Sequence, residues 1–510
     1  MDAARRYGED DARLDATGTA RAPRAEARLR PPLSTYITGG WRRVVPGFVQ
    51  RRRWAPATLI IVLASIFLVG AWVQKSPCLH TTPSWANGLP YRYACYSDVV
   101  ALYGTEGFEH TGAFPYSHYW VEEQGKPGQH RHYMEYPVVT GLFMWASAEL
   151  THGYLDAANA FIYLPKSMED VVFFDIVAVF ASIAWLLAIW CITRLTRKRV
   201  WDGAIAALSP IVIVQAFTNF DMLAVAMATG GMLAWARRRF VLAGILIGLG
   251  TAAKLYPVLL LIPLLALCVR AGKLAQWGRT ALTALVTWEL VNAPIELLFP
   301  RGWYEFIHLN STRAADPDSL YNVVAQFTGW GGFDGPLGPQ QAPTKLNAFI
   351  AIVLIACLVA IVLIALSAPR RPRFAQLAFL TVAAFLLTNK VWSPQYSLWL
   401  IPLAVLAMPR WKPLLAWMLI EAWLWVARMY FYLNTSEGGW GQNPFLITVC
   451  IRDFAVAALC ARVIYEIYRP EHDLVRRGGE DDPVGGVLEN APDSFVLGPR
   501  RRRALAGAPT

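Results

Sequence analysis

The sequence predicts an all-α fold, a polytopic transmembrane bundle of about twelve helices. Three observations predict it. The 510-residue chain is 55% apolar and only 16% charged, where a soluble protein carries about one charged residue in four. Its mean hydropathy is +0.35. Apolar runs approaching the roughly 20 residues needed to cross a bilayer recur between residues 56 and 466. Such runs are too long for barrel strands, and in lipid a backbone must bond within its own segment, so helices follow.

Twelve spans are read in order: 56–75, 171–193, 203–217, 219–236, 240–253, 255–269, 280–299, 346–367, 374–389, 397–408, 413–430 and 446–466. Residues 137–165 fit only as a re-entrant or interfacial segment, or as a pair of short spans, because one crossing would break the parity. Basic clusters at Arg51–Arg53, Arg197–Arg199, Arg237–Arg239, Arg270 with Lys273, and Arg370–Arg373 alternate with pairs of runs. The positive-inside rule assigns them to the cytoplasm, with both termini. The net charge of +11 therefore points to anionic lipid and not to nucleic acid. Three regions result: a disordered Arg-rich tail over 1–55, the membrane domain over 56–466, and a second disordered tail over 467–510. No cleavable signal peptide is read, since the polar segment before Ala55 is too long for one.

This topology puts the long loops 76–136 and 300–345 on one outer face, with the short polar interruptions TNFD (218–221), AAKLYP (252–257) and TNKVWSPQYS (388–397). Each polar group there costs several kcal/mol if left alone in lipid. In the first loop, Asp98 follows the aromatic YRYACY, a setting suited to base chemistry. Equally, it suits a cap for a helix beginning at Val99. Cys78 and Cys95 are the two cysteines outside the spans; a disulfide and two free thiols fit them equally. His110, His118, His130 and His132 share this loop. Their spacing matches no closed structural site, so no metal ligand is assigned.

Asn219 and Asp221 open a span, where an acid is often a cap. Lys254 lies in GLGTAAKLYPVLLL with no acid nearby in sequence, and Lys390 repeats the situation. Such lysines snorkel, pair, or face a cavity that holds an anion. Loop 300–345 carries Trp303, Tyr304, His308, Arg313, Asp316, Tyr321 and Asn322; loop 431–445 adds Tyr432, Asn434 and Trp440. Aromatic faces beside amides and carboxylates suit a sugar surface. An interfacial aromatic belt explains the same residues and many of the 21 Trp.

Four segments then carry a resemblance: SDVVALY (97–103), YMEYPVVTGLF (133–143), NFDMLAVAM through AAKLYPVLLL (219–261), and NKVWSPQYSLWLIPL (389–403). Together they resemble the multi-spanning GT-C glycosyltransferases that use lipid-linked sugars. Within that class the chain is similar to glycosyltransferase family 87, which includes actinobacterial mannosyltransferases. The resemblance implies a catalytic acid at Asp98, a lysine before Tyr-Pro at Lys254 and Tyr256, and a Ser-Pro-x-Tyr element at Ser393, Pro394 and Tyr396. Tyr136-Pro137-Val138 departs from the family's Tyr-Pro-Pro. Glu135 beside Tyr136 is a candidate second acid. Lys254, Lys390, Tyr256, Gln395, Tyr396, Asn219, Asp221, Glu135 and Tyr136 are assigned to the donor phosphate and sugar, with Lys390 near the phosphate and Gln395 and Tyr396 toward sugar or leaving group; Trp303, Tyr304 and His308 are assigned to the acceptor loop. The expected donor resembles polyprenyl-phosphate-mannose and the expected acceptor is a cell-envelope glycan or glycolipid. Transfer inverts the sugar at the extracytoplasmic face of the plasma membrane. The resemblance names no cofactor and leaves a divalent metal open. An arabinofuranosyl donor is the alternative within the class. A lipid or glycan transporter is the alternative outside it, disfavoured because the polar residues crowd one face and not the midplane.

Overall fold

The computed structural model describes residues 55–79, 88–121, 131–338 and 341–497. His130, the segment 1–54 and the last residues of the chain lie outside that description. All twelve predicted spans coincide with helix. Six helices are long and apolar enough to cross a membrane: Ala55–Cys78, Glu169–Leu195, Leu274–Leu298, Thr344–Ser367, Trp411–Tyr432 and Gln442–Tyr468. Most of the others are shorter. The run 203–217 divides into Gly203–Ala207 and Pro210–Gln215, because Pro210 has no N–H to continue a ladder and forces Ser209 into an extended conformation.

Two other breaks lie a few residues ahead of a proline. Phe240–Ala253 ends with Lys254 extended, and the chain restarts through a short 3-10 turn at Tyr256–Leu260. Phe374–Thr388 ends with Asn389 extended, and Pro394–Tyr396 leads into Ser397–Ala407. The broken ends come together. Tyr256 stacks on Trp399 at 4.5 Å and Tyr396 stacks on the same indole at 4.2 Å.

Close packing holds the helices between these breaks. A Cβ added to Gly244 would lie 2.5 Å from the Thr280 carbonyl oxygen, and one on Gly248 would lie 2.5 Å from that of Ala284. Glycines four apart let the Phe240–Ala253 backbone lie against Leu274–Leu298. Among the described residues of 76–136, a two-stranded antiparallel hairpin pairs Trp120–Val121 with Arg131–His132.

Two expectations are corrected. Residues 137–165 do not form two short spans: Val138–Ala160 is one unbroken helix. No proline interrupts it, and the Ser147 and Thr151 hydroxyls bond carbonyls four residues back. The chain after residue 467 is not a disordered tail as far as residue 497. It packs across the basic helix ends, pairing Arg373 with Asp473 at 2.7 Å, Arg270 with Asp493 at 2.8 Å, Arg199 with Glu480 at 2.6 Å and Arg197 with Glu489 at 2.6 Å. Composition alone reads as disorder there. Acids of this segment pair with arginines far away in sequence, Asp493 with both Arg270 and Arg371, and those pairs hold the segment in place. Those arginines therefore meet carboxylates, not only lipid headgroups.

Candidate active site

The helix Asp98–Thr105 is capped by Ser97, whose Oγ accepts the Val99 N–H at 3.2 Å. The capping role is thus filled by the residue before Asp98, and the Asp98 carboxylate is left for other partners. Two bonds fix this corner to the turn 217–218. The Ser97 hydroxyl donates to the Phe217 carbonyl at 2.6 Å, and the Asp98 N–H donates to the Thr218 carbonyl at 2.8 Å. A Cys78–Cys95 disulfide closes the loop just ahead of it.

One asparagine then organises the carboxylate. Asn219 Nδ2 donates to Asp98 Oδ2 at 2.7 Å and to the Tyr136 hydroxyl oxygen at 2.7 Å, which uses both of its protons. Its Oδ1 accepts the Phe220 N–H at 2.7 Å and faces Lys254 Nζ at 3.4 Å. The Tyr96 hydroxyl also bonds Asp98; burial, the Asp98 charge and that bond push the Tyr96 hydroxyl above the ordinary tyrosine range.

Lys254 has the acid that its local sequence lacks. Asp221 Oδ2 lies 3.6 Å from its Nζ, while Asp221 Oδ1 accepts the Trp399 indole N–H at 2.7 Å. The acid comes from a helix start 33 residues earlier, so only the fold shows the pair. Lys254 lies under two rings, 4.8 Å from the Tyr136 centroid and 5.6 Å from that of Tyr396. Tyr256 is buried, with its hydroxyl on the Ala224 carbonyl at 3.3 Å. It packs beneath the site and is not among the cavity-lining residues.

Above this web is a cavity of about 490 Å³, within the range that encloses small ligands. Asp98, Glu135, Tyr136, Arg313, Gln395 and Tyr396 line it. An aromatic side, formed by Tyr91, Tyr96, Trp425 and Tyr432, completes the wall together with Arg428. Burial raises the Glu135 carboxyl above the usual range, opposed by Arg313 and His132. Sequence reasoning gave no role to Arg313 and overlooked Arg428. The overlooked signal was Arg428's charge inside an apolar run. Lys390 is not among the cavity-lining residues described: its Nζ donates to Asn347 Oδ1 at 2.7 Å and to the Ser311 carbonyl at 3.4 Å. Burial, then the neighbouring Arg313, pushes its pKa down to about 8.

The helix Pro300–Thr312 divides this cavity from a second one. Phe306, Leu309, Asn310 and Arg313 face the first cavity. Arg301, Tyr304, Glu305 and His308 face the second, about 290 Å³, whose other wall is Arg131 and Tyr133. Each set follows the three-and-four spacing of one helix face. Tyr304 and His308 therefore sit together, but across a helix from Asp98. Trp303 joins neither: its indole N–H donates to Asn292 Oδ1 at 3.0 Å within the packing. His132 and His308 each lie 3.9 Å from Glu305, whereas His110 is exposed beside Glu109. Among the described residues no group of three or more His, Cys, Asp or Glu is placed to hold a metal ion.

Residues 160–394 match glycosyltransferase family 87. The chain is 25% identical to GPI mannosyltransferase 1 of Saccharomyces cerevisiae over 230 residues, covering 41% of this chain and 53% of the yeast protein. Among solved structures, it aligns with the oligosaccharyltransferase AglB of Archaeoglobus fulgidus in complex with an inhibitory peptide and a dolichol-phosphate, at 12% identity and a TM-score of 0.39. That alignment covers 82% of this chain and 56% of that one. A second Archaeoglobus fulgidus oligosaccharyltransferase structure, tethered to an acceptor peptide, aligns at 13% identity and a TM-score of 0.36, covering 82% and 55%. The chain thus spans about half the length of each of these proteins.

Proposed function

We propose that this chain, a multi-pass membrane protein whose residues 160–394 match glycosyltransferase family 87, transfers mannose from a polyprenyl-phosphate donor to a hydroxyl of a cell-envelope glycan or glycolipid. The observation that carries the reading is Asp98. Its carboxylate is released from helix capping, is held by Asn219 and Tyr96, and faces a cavity that also contains Arg313. A fixed base beside a cation is what displacement of a phosphate by a hydroxyl requires.

The steps balance without a protein nucleophile. Asp98 takes the acceptor hydroxyl proton as the oxygen attacks the anomeric carbon. The bond from that carbon to the phosphate oxygen breaks, its electron pair leaving with the polyprenyl phosphate. Attack opposite the leaving group inverts the centre. Arg313 receives the developing phosphate charge, and Lys390 adds its field from behind Arg313. Lys254, balanced by Asp221, serves the base through Asn219 and does not serve the phosphate. Gln395 and Tyr396 contact the sugar in the cavity that Asp98, Glu135 and Tyr136 also line. Tyr304 and His308 in the second cavity guide the acceptor glycan. The site faces away from the Arg-rich helix ends, hence to the outside of the plasma membrane, with both termini cytoplasmic. Mannose is preferred over arabinofuranose because the yeast relative is a mannosyltransferase by name.

The test uses full-length protein in nanodiscs with polyprenyl-phosphate-mannose and a glycolipid extract as acceptor. Release of polyprenyl phosphate, with mannose appearing on the acceptor in inverted configuration, is expected. Turnover of the arabinofuranosyl donor alone would overturn the sugar. Silence with both donors would overturn the transferase.

A further inference from the structure

Four ionisable residues that this chemistry does not use lie next to the cavity, three of them inside the last two long apolar helices. Arg452, on Gln442–Tyr468, is fully buried. Glu421, on Trp411–Tyr432, is buried too, and Asp453 follows Arg452 directly. Asp318, in the turn after Pro300–Thr312, is also fully buried. Ionisable groups within spanning helices are expensive and are kept where a structure needs them.

Their contacts converge on two turns. The Arg452 guanidinium lies over the Trp392 ring at 3.8 Å, with Nε on Asp453 Oδ1 at 2.6 Å and Nη2 on the Asp318 carbonyl at 2.6 Å. Trp392 passes the connection on: its indole N–H donates to Ser397 Oγ at 3.3 Å, and the Ser397 hydroxyl bonds Glu421. Glu421 also accepts the Trp417 indole N–H at 2.9 Å. Trp392 and Ser397 thus pin both ends of the turn that presents Gln395 and Tyr396 to the cavity. The Asp318 carboxylate pairs with Arg428, another wall residue, and the Asp318 turn follows directly on Arg313.

We infer that Arg452 is a positioning residue: through Trp392 and the Asp318 carbonyl it fixes the turn bearing Gln395 and Tyr396 against the turn that follows Arg313. The planar guanidinium is suited to this because its face stacks on the indole while its edge donates sideways to the carbonyl. An ammonium has no flat face and offers one point of charge. The inference rests on the transferase reading for its consequence, not for its geometry.

The experiment therefore has two readouts on full-length protein in nanodiscs, for wild type, Arg452→Lys and Trp392→Phe. The first is hydrogen exchange resolved by segment. Arg452→Lys should speed exchange severalfold in both 313–319 and 389–397, while the long helices exchange as in wild type. The second is turnover of polyprenyl-phosphate-mannose. The clamp predicts a fall of about tenfold in kcat with donor KM unchanged. Trp392→Phe keeps an aromatic face for the guanidinium but trims the indole to a single ring and removes its N–H. Its loss should be smaller, in the same two segments, and less than additive with Arg452→Lys. It also serves as the test if Arg452→Lys does not fold. Unchanged exchange, or uniformly faster exchange with wild-type kcat per folded molecule, would overturn the inference. If wild type leaves the donor untouched, that counts against the transferase, and the exchange pattern alone decides the clamp.

Discussion

Asn219 is the residue whose replacement most sharply separates a working site from a merely polar corner. Its two amide protons are committed, one to Asp98 Oδ2 and one to the Tyr136 hydroxyl, both at 2.7 Å. Its oxygen faces the buried Lys254 at 3.4 Å. Asn219→Ala removes all of these together and leaves Asp98 with one fewer donor and Lys254 turned toward Asp221 alone. A hydrogen bond to a charged group is worth about 1.5–3 kcal/mol. If that bond holds Asp98 in its reactive orientation, kcat should fall roughly 10- to 150-fold. Asn219→Asp keeps the shape but places a second carboxylate against Asp98, so its loss should be at least as large. The assay is initial-rate donor consumption at matched folded protein, with saturating acceptor. Donor KM should stay within about threefold, because Asn219 is not among the cavity-lining residues. Asn219→Ala turning over at wild-type rate would refute the reasoning, since Asp98 would then need no holder.

Lys390 supplies a pH signature. Its pKa is pushed down to about 8, mainly by burial, so the cation is lost as pH rises through 8. Donor KM should rise above that pH in wild type and be raised and flat across it in Lys390→Gln. The stability sign is opposite: the folded state binds fewer protons than the unfolded chain between about 8 and the ordinary 10.5, so this group's penalty on folding, present below 8, fades across that interval. Reducing the Cys78–Cys95 bridge reopens a loop with a sequence separation of 17. It should cost about 3 kcal/mol on the chain-entropy account, seen as a lower melting temperature with dithiothreitol that a Cys78→Ser, Cys95→Ser double variant no longer shows. Asp473→Ala strands the fully buried Arg373. A loss of about 3–5 kcal/mol is expected, partly recovered by adding Arg373→Met, as measured by thermal unfolding in detergent.

The helices were legible because burial in lipid leaves a run of apolar residues that needs no partner to be recognised. The interruptions ahead of Pro257 and Pro394 were legible for a similarly local reason, whereas the break at Pro210 fell inside a run read as one span, 203–217. The site was legible in part. Asp98, Asn219, Gln395 and Tyr396 lie in polar interruptions of apolar sequence, and the fold brings those interruptions to one end of the helices. What escaped was pairing between distant segments. Nothing local to GTAAKLYP says that Asp221 answers Lys254, and nothing in the low-periodicity stretch after residue 467 says that its acids match arginines in three distant basic clusters. Whether Asp98 caps a helix or faces a cavity depended on Ser97 taking the cap. Either residue type can do so, and only the backbone geometry decided it.

The central claim is that Asp98 removes the acceptor proton in transfer from a polyprenyl-phosphate sugar, and Asp98→Asn tests it most directly. The amide keeps the size and the contacts with the Asn219 and Tyr96 region but cannot accept a proton at neutral pH. Wild type and variant, purified to equal folded yield in nanodiscs, are compared for donor binding and for mannosyl transfer. The account predicts donor binding within a few-fold of wild type and transfer reduced by about 10²–10⁴-fold. Transfer by Asp98→Asn at the wild-type rate would contradict it.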